Sequence, residues 1–414
     1  MMNLGRIPAV LAGTGASRNI GREARLAAGP RAGFAVLLTG ASSFDRNPVS
    51  SEILASLRDE GFAVIRLKLE SEPSPSDVDR FTEEMRSQCG EDERPPIIGL
   101  GGGSVIDAAK AAAACATMDY PSERYLEGVG DMSPDGTRLP LIAVPTTSGT
   151  GSEATMNSVL SKTGTGGYKK SMRHSALIPD TAIFDPLLLN EAGYLVTAAS
   201  GWDAVTQLLE AAVSTKANRL TDHYSFAGLA AASSAFPKVC SLAKNPSDGE
   251  EAFSTRLKMA LAAFYGGIAL ANAGLGLVHG AASPLGAIKP VPHGVVCGLL
   301  LPPVTRAILK RLDKGEGGKR YAAAGYLLSC KAVCEAEAFA LCSSDRTETV
   351  GQGLLLETLE EWKERFPLPS FSEYGFTSED LESAAEKSAM KNSPSTVSAY
   401  AVLKIFESCS GRNG

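Results

Sequence analysis

Between Phe34 and Phe184, short apolar runs alternate with polar-faced stretches of helical length. Phe34–Thr39, Phe62–Leu69, Pro96–Leu100, Leu141–Val144 and Ala182–Phe184 are rich in branched residues and predict buried strands. Pro48–Glu60 and Pro75–Gln88 each begin at a proline, which suits the first turn of a helix, and predict helices between the early strands. Strand and helix in alternation predict a parallel sheet covered on both faces. Beyond Leu187 the pattern changes to long Ala/Leu segments with helical period: Thr197–Lys216, Thr221–Leu242, Ala252–Asn272, Gly318–Cys342 and Gly351–Phe366. The expectation is an α/β domain over residues 1–186 and an all-α domain over 187–414, with the boundary near Asp185–Pro186. Lys310–Arg320, rich in charge and glycine, reads as a solvated loop.

Composition narrows the function classes. The 40 Lys and Arg against 46 Asp and Glu leave a net charge of −6, which disfavours a polybasic nucleic-acid binder. A 44% hydrophobic share is ordinary for a folded chain and excludes dominant disorder. No run of about 18 apolar residues lacks charges or breakers, so a membrane span is not expected. Met1–Ile20 lacks the long apolar core of an export signal, and the expected location is the cytoplasm. None of the 8 cysteines forms a C-x-x-C pair, and they read as buried or half-buried free thiols in a reducing compartment.

Three stretches carry candidate chemistry. Ile98–Ala113 (IGLGGGSVIDAAKAAA) runs from a strand through Gly101, Gly102, Gly103 and Ser104 into a helix. Backbone amides there, with the helix dipole, suit a pyrophosphate; the alternative is a tight structural turn, since the third glycine of G-x-G-x-x-G is absent. Pro145–Glu153 (PTTSGTGSE) places hydroxyls directly after the next strand, where they either contact a nucleotide or cap a turn. In the helical half, Asp203 and Gln207 lie four apart beside Glu210, a stripe that reads either as surface or as part of a site. His279 and His293, two of only 4 histidines, each precede a glycine in a nearly uncharged segment. Asp, amide and two imidazoles offer O, O, N and N donors to a divalent cation; satisfied core histidines are the other reading. Hydrolase elbow, P-loop and H-E-x-x-H motifs are absent.

Gly101–Ser104 with Asp107 and Lys110, then PTTSGTGSE, Trp202-Asp203, GLVHG and PHG, resemble the iron-containing (group III) alcohol dehydrogenase family in order and spacing, from about Ile7 to Asn392. The resemblance implies a dehydroquinate-synthase-like fold with an N-terminal domain for NAD(H) or NADP(H) and a helical C-terminal domain. It implies Fe²⁺ or Zn²⁺ in the cleft and hydride transfer between a small alcohol and its aldehyde or ketone. Residue by residue, it carries pyrophosphate binding to Gly101, Gly102, Gly103 and Ser104, with Asp107 nearby. It carries the nucleotide crevice to Thr146, Thr147, Thr150, Thr155 and Asn157, and an approach to the cofactor to Lys169. Metal ligation falls on Asp203, His279 and His293.

Two positions depart from that family. Gln207 stands where a second metal-ligating histidine is usual, and Ser283 where a proton-shuttling histidine is often found. The expectation is a branch with an Asp203, Gln207, His279 and His293 shell, in which water, Ser283 or the cofactor ribose delivers the proton. A metal-free maleylacetate reductase-like enzyme and a dehydroquinate synthase-like lyase are the alternatives. The turn Gly40-Ala41-Ser42-Ser43 after the first predicted strand carries no carboxylate before Asp45, and Arg46 follows. Gly40 and Ser42 thus leave room for a 2′-phosphate, and NADP(H) is expected to be accepted, unless the discriminating residue lies elsewhere, for instance near Glu72. No nucleic-acid or membrane partner is expected, and the expected assembly is a homodimer.

Overall fold

The structure, a computed structural model, describes residues 5–411 apart from positions 89, 91, 92, 165, 191 and 314. The five apolar runs all become strands: β2 (Phe34–Gly40), β3 (Ala63–Leu69), β4 (Ile97–Gly101), β5 (Leu141–Pro145) and β8 (Thr181–Phe184). With β1 (Ala9–Ala12) they form a six-stranded parallel sheet in the order β1-β8-β5-β4-β2-β3. Because side chains alternate along a strand, the sheet feeds two cores. Leu37, Ile98, Ile142 and Val144 pack with Ile53 and Leu57 on one face. Val36, Leu38, Ile97 and Leu141 pack with Phe81, Met85 and Ala109 on the other.

From β2 the chain steps outward to β3, then returns to β4 on the far side of β2. The winding direction reverses between β2 and β4. In open α/β sheets, the carboxyl ends of strands at such a reversal form the ligand crevice. The Gly40–Ser42 turn and the Gly101–Ser104 loop therefore flank it. An antiparallel hairpin, β6 (Asn157–Lys162) with β7 (Tyr168–Arg173), stands apart from the sheet and carries Asn157 and Lys169.

From Tyr194 onward the described residues are helices and connections. The Tyr194–Ala212, Arg219–Lys244, Glu250–Ala273 and His293–Leu309 helices surround one core, with Asp345–Arg365 packed alongside. Trp202, Phe236, Trp362 and Phe366 meet edge-on there, with ring centroids 5.1–6.3 Å apart. The Arg219–Lys244 helix is long and apolar enough to cross a membrane, but half of its apolar window is buried against this core.

Three expectations need correction. Gly318–Cys342 is not one helix: it divides into Glu316–Leu328 and Glu335–Leu341. Cys330 sits at φ 57°, and the Lys331 and Ala332 amides both turn back to the Tyr326 carbonyl, a C-terminal closure built without glycine. Lys310–Arg320 is not wholly solvated loop, because Arg320 inserts between helices and pairs with Asp222 at 2.6 and 2.9 Å. Of the seven described cysteines, all free, Cys330 and Cys334 are exposed rather than buried; Cys89 lies outside the described residues.

Candidate functional site

β4 delivers the glycine loop. The Gly103–Cys115 helix begins at Gly102 with no side-chain cap and no acid in its first turn. Its positive end is left uncompensated, which is the condition for receiving an anion. A side chain at Gly103 would run into that of Thr150 (2.5 Å from its Cβ position), so only glycine lets the two loops approach. The Ser104 hydroxyl donates to Glu72 at 3.2 Å, and the Lys169 ammonium reaches the same carboxylate at 2.9 Å. Burial opposes charge on Glu72, but the Lys169 contact holds its carboxyl below the usual range.

Asp107 and Thr155 take part in a buried network. The Lys110 ammonium, fully buried, donates to the carbonyls of Ser152 (2.7 Å) and Asn157 (2.7 Å) and to the hydroxyls of Ser152 (3.1 Å) and Thr155 (2.8 Å). The Asp107 carboxylate accepts from the Ser152 hydroxyl and from the Val159 amide at 3.0 Å, and lies 3.7 Å from Lys110. This lysine ties the start of the glycine-loop helix to the Pro145–Asn157 segment.

The second group of side chains lies across the cleft. Asp203 and Gln207 occupy successive turns of the Tyr194–Ala212 helix and are buried, so the polar stripe is not surface. His279 lies in the first turn of the Leu277–Ile288 helix, and His293 opens the His293–Leu309 helix. A Cβ on Gly280 would collide with the Ala389 carbonyl and one on Gly294 with the Ala199 carbonyl, which explains why each histidine precedes glycine. The Asp203 carboxylate is 3.4 Å from His279 Nε2 and 3.6 Å from His293 Nε2. His279 Nδ1 donates to Glu210 at 2.7 Å, and Glu210 also accepts the Gly276 and Val278 amides at 2.9 and 2.6 Å. Glu210 thereby caps this helix and turns Nε2 of His279 toward Asp203.

The electrostatics are those of a cation site. His279 is the charged imidazole of the pair: burial opposes its charge, but Cys297, Asp203 and Glu210 hold its pKa well above the usual value, and burial with the charges of His279 and Lys169 pushes His293 down to about 4. Burial opposes ionisation of Asp203, but the two imidazoles outweigh it and lower its pKa. Gln207 Oε1 is buried without a hydrogen-bond partner. A carboxylate, two converging imidazoles and a carboxylate that orients one of them fit a divalent metal.

A cavity of about 460 Å³ joins the two sides, lined by Gly103, Ser104, Asp107, Thr150, Thr155, Asn157 and Lys169 and by Asp203, Gln207, His279, Ser283 and His293. Gly101 and Gly102 lead into it from β4, whereas Thr146 and Thr147 face a separate small pocket beside Asn190. Gly40 and Ser42 lie at the end of β2, outside this lining.

Sequence reasoning passed over three residues here. Cys297 was counted only as a free thiol, yet its sulfur is 3.6 Å from both Asp203 Oδ1 and His293 Nε2. Its signal was the H-x-x-x-C spacing, one helical turn. Glu210 appeared only as a member of a stripe, although its three-residue offset from Gln207 put it on the same face. Lys110 entered only through the resemblance; its depth beneath the loop leaves no local pattern.

Comparison with known proteins follows this geometry. The profile named "Iron-containing alcohol dehydrogenase" matches residues 8–186, and "Fe-containing alcohol dehydrogenase family, C-terminal" matches residues 197–409. A probable alcohol dehydrogenase, EutG of Escherichia coli, is 33% identical over 300 residues, covering 72% of this chain and 71% of that protein. The 1-propanol dehydrogenase PduQ of Citrobacter freundii is 32% identical over 330 residues, covering 79% and 78%. Among solved structures, an alcohol dehydrogenase from Oenococcus oeni superposes with a TM-score of 0.80 at 26% identity, covering 99% of this chain and 100% of that one.

Proposed function

The chain belongs to the iron-containing alcohol dehydrogenase family and is an NAD-linked alcohol/aldehyde oxidoreductase that uses a divalent metal, and we propose how its own residues serve that reaction. The observation carrying the proposal is that the glycine loop and the Asp203–His279–His293 cluster open onto one cavity. Gly101–Ser104 and the uncapped helix start receive the dinucleotide pyrophosphate, and Thr150 packs against the loop to hold its shape. Lys169, held by Glu72, lies beside the path of the cofactor. Thr155, Asn157 and Asp107 position the crevice through Lys110. Asp203, His279 and His293 hold the metal, with Gln207 beside them in a branch that lacks the usual second histidine of that helix. Glu210 keeps His279 in the tautomer whose Nε2 faces the cluster. When bound, the divalent cation supplies Lewis-acid polarisation of the substrate oxygen during hydride transfer to or from the nicotinamide. Ser283, four residues after His279 and on the cavity wall, orders water for proton delivery.

Cofactor choice belongs to the same proposal. Asp45, the first carboxylate after β2, is ion-paired with Arg66 and with Lys68 (2.9 Å), which hold its pKa at about 2. Its charge is thus matched by two cations, with Arg46 on Ser42 at 3.1 Å, an arrangement that tolerates a 2′-phosphate beside Gly40. NADP(H) is accepted alongside NAD(H). The division of the chain near residue 186, a homodimeric state and a cytoplasmic location complete the reading, and light scattering checks the second.

Metal analysis with NAD(P)H oxidation over a panel of aldehydes tests the core of the reading. Full activity in chelator-treated, metal-free protein would sink it and favour the maleylacetate reductase-like alternative. For the cofactor, kcat/KM is measured with both nicotinamides. A preference for NADH above about a hundredfold, near 2.7 kcal/mol, defeats the expectation, and Gly40→Asp shifts preference toward NADH.

A further inference from the structure

Taking the Asp203 cluster to be the metal centre of this oxidoreductase, we propose that Cys297, rather than Gln207, supplies its fourth protein ligand, as a thiolate. Four donor atoms, from Asp203, His279, His293 and Cys297, lie within 4.8 Å of one another. A tetrahedral cation with N and O ligands about 2.0–2.1 Å away and sulfur about 2.3 Å away has edges of about 3.3–3.4 Å between N/O donors and about 3.6 Å to sulfur. The structure has 3.4 and 3.6 Å from Asp203 Oδ1 to the two imidazole nitrogens. It has 3.6, 3.6 and 4.0 Å from the Cys297 sulfur to Asp203 Oδ1, His293 Nε2 and His279 Nε2. Five of the six edges of such a shell are thus close to their ideal lengths, and the substrate oxygen would enter as a fifth ligand.

The chain geometry fixes this arrangement. Cys297 follows His293 by one turn of the same helix, so both side chains project from one face. Gln207 presents the opposite end of its amide: Nε2 donates to Asp203 Oδ1 at 3.2 Å, and an amide N–H has no lone pair to give a metal. Its Oε1 faces the Gly266 backbone, 3.4 Å from where a Cβ would stand. Gln207 therefore orients the ligating carboxylate, as Glu210 orients His279. A carboxylate and a thiolate together balance the charge of a divalent ion, which lowers the cost of burying it. When the bond between sulfur and metal forms, the S–H bond breaks and its proton leaves to solvent, as does the Nε2 proton of His279 when that nitrogen binds. The soft donor selects Zn²⁺ over Fe²⁺.

Cobalt substitution reads the ligand directly. Metal-free protein loaded with Co²⁺ is expected to bind about one ion per chain and to show near-ultraviolet thiolate-to-cobalt charge transfer beside the visible d–d bands. Cys297→Ser, close in size, should lose the charge-transfer band, keep d–d absorption, and bind Co²⁺ at least about tenfold more weakly. Gln207→Ala should keep the band. Wild-type d–d bands without charge transfer, or a band that survives Cys297→Ser, overturns the proposal while leaving the metal-dependent reading intact. Failure of wild-type protein to bind Co²⁺ overturns both.

Discussion

Two buried polar clusters face the same cleft, and they differ in where their positive charge comes from. Around Lys110 the cation is covalent: one ammonium meets two carbonyls and two hydroxyls at 2.7–3.1 Å with Asp107 behind it. Around Asp203 the chain gathers a carboxylate, two imidazoles and a thiol, and among the described residues no lysine or arginine lies within hydrogen-bond reach of them. The first cluster is complete as folded; in the second the positive charge is a proton on His279, between Asp203 and Glu210, which a divalent cation can displace. A buried group of donor atoms built to one centre around an exchangeable proton marks a ligand site, whereas a network satisfied by a fixed ammonium marks scaffold.

Exchanging the roles by mutation is the strongest way to break that contrast. His293→Ala is expected to lose most of its metal and to cut turnover by about 10³-fold or more, since Lewis-acid catalysis is worth several kcal/mol, while the apo fold melts much as before. Lys110→Met should do the reverse. It leaves Asp107 buried without its cation, a loss of about 3–5 kcal/mol in urea unfolding, with metal retained by the folded fraction. A Lys110→Met protein that stays stable but loses metal would erase the distinction.

The scaffold cluster also titrates in a window that can be checked. Burial pushes the carboxyl of Glu153, beside Lys110, up to about 7 from 4.5. It is neutral in the fold and ionised in the unfolded chain between those values, so it contributes stability at low pH that is lost as pH rises through about 7. Burial pushes Lys110 down to about 8 from 10.5, so its contribution rises with pH only above about 8. Glu153→Gln removes the first effect. Its melting temperature relative to wild type should climb as pH goes from about 5 to 8; parallel curves would show that Glu153 does not change state on folding.

The same contrast explains what could be read in advance. The central strands were legible because a parallel sheet buries both faces, and Ile97–Leu100 or Leu141–Val144 is apolar throughout. The edge strand β1 and the hairpin of Asn157–Lys162 with Tyr168–Arg173 were not, since NSVLSK and YKKSMR each keep four of six residues polar and carry no strong run. In the site, Asp203, His279 and His293 stood out because charge and imidazole are rare in apolar helices. Cys297 did not, because in VVCGLLLP a thiol looks like one more small apolar residue and only its distance to His293 distinguishes it. The break at Cys330 was hidden for another reason: backbone closure onto Tyr326, with no proline or glycine at the turn, ends that helix.

The smallest expected effect concerns Ser283, which shares the cavity wall with the metal donors but makes no hydrogen bond to them. It lies one helical turn beyond His279, so its hydroxyl is close enough in the fold to order water without being part of the cluster. A side chain that itself transfers the proton is worth about 10²–10⁴-fold in rate. A hydroxyl that only helps to order water should matter less, because a second water can replace it in an open cavity. Ser283→Ala is therefore expected to slow turnover by under about tenfold, with metal content unchanged and the same pH profile. A loss of about 10²-fold or more at full metal occupancy would mean that Ser283 carries the proton itself, and that the ligand-requiring cluster extends along the helix to include it.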